Sequence, residues 1–103
     1  MNYVQLQQRK NGDVWLNLHC RIDENGDFRI EGHDLSPTSE YEWCTIVAQN
    51  DFPQLCALFG AATMDELFDV IVRDYLPIEG DGLEKFIRDS DVPSRFSNYI
   101  HMD

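Results

Sequence analysis

Histidine, arginine and glutamate recur at alternate positions along two neighbouring stretches of the chain, and this is where a search for chemistry begins. Trp15, His19 and Arg21 share one side of an alternating run, and Arg29, Glu31 and His33 share one side of the next. Imidazole titrates near neutrality and ligates zinc, so His19, His33 and Glu31 have the right types for an acid-base pair or a metal site. Their spacing is not that of a metal motif: the chain has no His-x-x-x-His helix pattern and no Cys-x-x-Cys, and we expect neither a metal nor another cofactor. Grouped on a solvent-facing sheet, Trp15, His19, Arg21, Glu31 and His33 would form a small-molecule or partner-binding face, because tryptophan and arginine are effective anchors. The competing reading of the same residues is a set of ordinary cross-strand pairs.

Nucleophilic chemistry has less support. Ser36, Ser39, Ser90, Ser94 and Ser97 lie in turn-like surroundings without a Gly-x-Ser-x-Gly elbow. Cys20, Cys44 and Cys56 are odd in number and widely spaced, as befits reduced core thiols rather than a disulfide framework. Asp23-Glu24-Asn25-Gly26-Asp27 opens like a calcium loop but has Asp34, not Glu, at the twelfth position, and we read it as a turn. Gly80-Asp81-Gly82 lacks the Lys-Ser or Lys-Thr pair of a phosphate loop and reads as a helix connection.

The second candidate surface is acidic. The 103 residues carry 19 acidic and 8 basic side chains, a net charge of -11, which argues against nucleic acid and anionic membranes as partners. Residues 49–103 hold 11 of the acids and 4 of the bases. Glu66, Asp69, Asp74, Glu79, Asp81 and Glu84 fall off the apolar stripes of the helical half, and a face of that kind steers association with a basic protein.

These residues need elements to position them. Val14, Leu16, Leu18, Cys20 and Ile22 alternate with polar neighbours as in a strand with one buried face. Tyr3 to Arg9 precedes it, and Asn11-Gly12 fits a type I′ hairpin turn. Phe28 to Glu31 makes a third strand and Tyr41 to Ala48 a fourth, whose inward face the pattern does not fix. The period then changes. Asp51 with Pro53 starts a short helix that Gly60 ends. Thr63-Met64-Asp65-Glu66 has the form of a capping box, leading into a stripe of Met64, Leu67, Phe68, Ile71, Val72 and Tyr75. Leu83, Phe86 and Ile87 mark a third helix, and Pro93 begins a last turn containing Phe96 and Tyr99. Strands first and helices second predict one α+β domain over residues 1–103, an antiparallel meander of about four strands with about three helices packed on one face. Neither a secretory signal nor an apolar run long enough for a bilayer is present, so we expect a cytoplasmic protein.

The run Phe28 to Leu35, then Ser39-Glu40-Tyr41-Glu42-Trp43, then the Asp51-Phe52-Pro53 helix ending Leu58-Phe59-Gly60, resembles a set of small uncharacterised bacterial proteins over residues 28–96. In size, acidity and want of catalytic motifs the chain is also similar to immunity proteins of contact-dependent growth inhibition and related toxin systems. That resemblance implies a non-enzymatic inhibitor of a basic, often nuclease, toxin domain, and it carries no site residue across. A homodimer through the open sheet face, and a ligand-binding domain or enzyme around Trp15, His19 and His33, are the other expectations.

Overall fold

A computed structural model describes residues 2–76 and 82–102, the last two through their backbone only. The chain forms β1 (Tyr3–Asn11), β2 (Val14–Ile22), β3 (Phe28–Leu35) and β4 (Ser39–Val47), then α1 (Phe52–Phe59), α2 (Met64–Val70), α3 (Gly82–Arg88) and β5 (Arg95–Met102). All neighbouring strands are antiparallel, in the order β1-β2-β3-β4-β5. This is the expected α+β arrangement, with one strand more than the alternation predicts.

The extra strand replaces the final turn expected after Pro93. Residues 95–102 extend along β4, with Phe96 opposite Thr45 and Tyr99 opposite Glu42. As an edge strand exposed on both sides, β5 has no buried face to impose an apolar-polar rhythm on its sequence, so its pattern does not announce it.

The first turn also differs. Asn11 is still paired, with Val14, which leaves Gly12 and Asp13 as the loop. Only Gly12 has positive φ, at 62°, the pattern of a II′ rather than a I′ turn. At the second turn the Asp23 carboxylate accepts from the backbone N–H of Asn25 and of Asp27, so its oxygens are engaged by the turn itself.

One face of the sheet is packed. Leu18, Cys20, Phe28, Ile30 and Val47 are buried against Leu55, Phe59, Leu67, Phe68, Ile71, Leu83 and Ile87 from the helices. Pro53 lies in the first turn of α1 and Gly60 closes it in the left-handed conformation, φ 69°, but the Asp51 side chain makes no capping bond. In α2, Thr63 Oγ1 accepts from Glu66 N and Glu66 Oε2 from Ala62 N, a capping box shifted one residue outward. A π-helical turn over Ile71–Tyr75 continues α2. The buried stripe differs from the expected one: Val70 is buried and Val72 is exposed. Phe59, Tyr75 and Phe86 meet at ring distances of 5.3 to 6.1 Å beside that turn.

A glycine fixes the interior of the sheet. Gly32 pairs with Trp43, and a Cβ on Gly32 would collide with Cζ2 and Cε2 of the indole. The ring therefore lies across the β3 backbone on the packed face. There its Nε1 donates to Glu84 Oε1 at 2.9 Å, while Thr45 Oγ1 donates to Glu84 Oε2 at 3.1 Å. Among the described residues no helix is long and apolar enough to cross a membrane.

Candidate functional site

The helices leave the opposite sheet face open, and the register decides which side chains meet on it. His19 pairs with Glu31, Arg21 with Arg29, Glu31 with Cys44, His33 with Glu42, and Cys44 with Ser97. Four of the five residues singled out on this face thus come together. Trp15 lies on the same side but further along, opposite Leu35, with Lys10 Nζ 5.4 Å from its ring centre.

Glu31 is the hub. Arg21 Nε donates to its Oε1, His19 Nε2 is 3.2 Å from the same oxygen, and Arg29 Nε is 3.8 Å from Oε2. Burial alone would raise the Glu31 pKa. The Arg21 hydrogen bond, with the charges of Arg21, Arg29 and His19, outweighs it and holds the carboxyl below its usual range. Arg21 is in turn held more firmly protonated by Glu31. Tyr3 stacks on His19 at 5.3 Å, and the buried His19 Nδ1 has no hydrogen-bond partner among the described residues.

Beside this hub runs a groove of about 340 Å³ lined by His19, Glu31, His33, Cys44, Ser97 and Tyr99 among others. Arg29 Nη2 donates to Cys44 Sγ at 3.3 Å, and Ser97 Oγ lies 3.2 Å from the same sulfur. At its other end His33 Nε2 is 2.8 Å from Glu40 and 3.9 Å from Glu42. The donor atoms of these three residues all fall within 4.8 Å of one another. A nitrogen and two carboxylates so placed can hold a divalent cation, or a lysine or arginine from another protein. No metal spacing in the sequence pointed to this group. The Ser36-Pro37-Thr38-Ser39 turn could have, because a hairpin through it places 40 and 42 on the face of 33.

The acidic helical surface is less uniform than its sequence. Glu66 is exposed but committed to the α2 cap, Asp74 is held by Nε and Nη2 of the Arg73 guanidinium, and Asp69 is exposed. Glu84 is not on that surface: it is 1% exposed, its carboxylate turned under the sheet toward Trp43 and Thr45. Its place on a seven-residue helix between Leu83 and Ile87 carries it inward. Glu79 and Asp81 lie outside the described residues.

Cys20 is fully buried and its thiol is pushed up to about 12, chiefly by burial. Cys56 is likewise raised by burial, with the Glu66 charge adding to it. Neither has the depressed pKa of a reactive thiol. Comparison with family models, curated proteins and solved structures gives no match.

Proposed function

We propose that the chain is a non-enzymatic interaction protein of the immunity or antitoxin type, an inhibitor that holds a basic protein, such as a cognate toxin domain, against its open sheet face. One observation carries this reading. Glu40 and Glu42 stand on that face with the imidazole of His33 against them, beside Tyr99, which is 57% exposed. Carboxylates flanked by an exposed aromatic suit the lysines and arginines of a cationic partner. Asp65 and Asp69, exposed on α2, add long-range attraction without contact.

The test is affinity capture from the producing cell at low salt, followed by kinetics on the purified pair. The captured protein is expected to be basic, Glu40→Gln with Glu42→Gln to speed its dissociation, and Asp65→Asn with Asp69→Asn to slow its association. No stable partner at micromolar protein and low salt, or a partner without net positive charge, would overturn the reading.

The 340 Å³ groove favours a second function, a small-ligand or catalytic site at His19 and His33. Its mark would be loss of a measured affinity or turnover in His19→Ala with an unchanged circular dichroism spectrum.

A further inference from the structure

The packed face of the sheet is not covered along its whole length. Around Leu18, Cys20 and Ile30 the helices bury it, whereas Leu16 and Tyr41 are half-buried and Asp34 is exposed. A cavity of about 580 Å³ opens there, between this end of the sheet and α3. Its size is that of a site for a small organic molecule.

The lining separates into an apolar body and a few polar groups. Leu16 and Leu18 contribute from β2, and Tyr41, Trp43 and Phe96 supply three aromatic rings. Trp43 is anchored by Glu84, and Arg88 lies 5.2 Å from the centre of the Phe96 ring and 3.9 Å from Glu84, so these walls are held in place. Of the remaining polar groups the Tyr41 hydroxyl accepts from Asn98 Nδ2, and two acceptors are left without a donor. Asp34 has no cation within ion-pair distance among the described residues, and Gln7 Oε1 is buried without a hydrogen-bond partner. They stand on β3 and β1, either side of β2, hence on strands about 10 Å apart. With Asp34 and Glu84 against Arg88, the described lining carries more negative than positive charge.

A flat ring that meets aromatic walls, with a hydrogen-bond donor at one end and a cation at the other, satisfies all of these features together. We propose that this cavity binds an arylalkylamine as its ammonium ion, the amine at the Asp34 carboxylate, the ring over Leu16 and Leu18 beside the Trp43 indole, and a ring hydroxyl or N–H donating to Gln7 Oε1. This site is on the opposite side of the sheet from the open face and does not depend on the inhibitor reading.

Tyramine is the probe, with phenethylamine lacking the hydroxyl and 4-hydroxyphenylacetate lacking the ammonium. In the Trp15→Phe variant the remaining indole is Trp43, so its fluorescence reports on the cavity directly. Tyramine is expected to shift that emission saturably, and each control to bind about tenfold more weakly for the loss of one such hydrogen bond or ion pair. Asp34→Asn should remove the advantage of tyramine over 4-hydroxyphenylacetate. Gln7→Met should remove its advantage over phenethylamine, leaving the other preference intact. Both positions lie outside the buried cluster, and calorimetry on the natural sequence repeats the ranking if the tryptophan variant folds poorly. Absence of saturable binding, equal affinity for 4-hydroxyphenylacetate, or a self-association lost in Phe96→Asp that blocks tyramine would each overturn the proposal.

Discussion

Glu84 illustrates how far a single carboxylate can be diverted from what its charge suggests. Both of its oxygens accept hydrogen bonds, from an indole and a hydroxyl that would otherwise be buried donors with nothing to donate to. Glu84→Ala is therefore expected to cost about 2–3 kcal/mol in urea unfolding, with Glu84→Gln costing less because one acceptor survives. Equal stability of the alanine variant would refute the role. Glu31 makes a different prediction on the open face. Its carboxyl is lowered in the folded state, so the stability it adds is present above its ordinary value near 4.5 and disappears as pH falls through the lower folded value. The gap in unfolding free energy between the natural protein and Glu31→Gln, about 1 kcal/mol at pH 7, should close as pH falls below about 4.5. A gap that widens on acidification would have the wrong sign.

Among the elements, α2 owes its start to Thr63, which accepts from Glu66 N. Thr63→Ala should lower stability by about 1 kcal/mol, measured from the shift in urea midpoint. The same helix shows what could be read in advance. Its cap and most of its stripe were legible because Thr, Glu and the apolar residues are local signals. The π-helical turn was not, since it depends on how Phe59, Tyr75 and Phe86 pack together from three separate segments. Strands β1 to β3 were legible from turn residues and alternation, and their register then brought His19, Arg21, Glu31 and His33 together as the alternation implied. Glu40 and Glu42 were missed because the inward face of β4 is set by Trp43 lying over Gly32, a contact between strands with no trace in the local pattern. Strand β5 was missed for want of any buried face.

At the scale of the whole molecule, a net charge of -11 on 103 residues means the folded state holds like charges together. Raising monovalent salt from about 0.01 to about 0.2 M shortens the screening length severalfold, and it should raise the thermal midpoint and slow capture of a basic partner in the same range. A midpoint that falls would mean that pairs such as those around Glu31 outweigh the overall repulsion. The acidic excess is unevenly placed: β1 and β5, the two outer strands, contain no Asp or Glu.

The late position of β5 bears on how the protein is made. Strand β4 is complete by Val47, yet the neighbour it needs begins at Arg95, after all three helices. While the chain is still emerging from the ribosome, β4 must wait as a bare border with its amide groups unsatisfied on one side. A translation product ending before residue 95 would stay in that condition and would recruit other chains, so premature termination should yield aggregates rather than a smaller working protein.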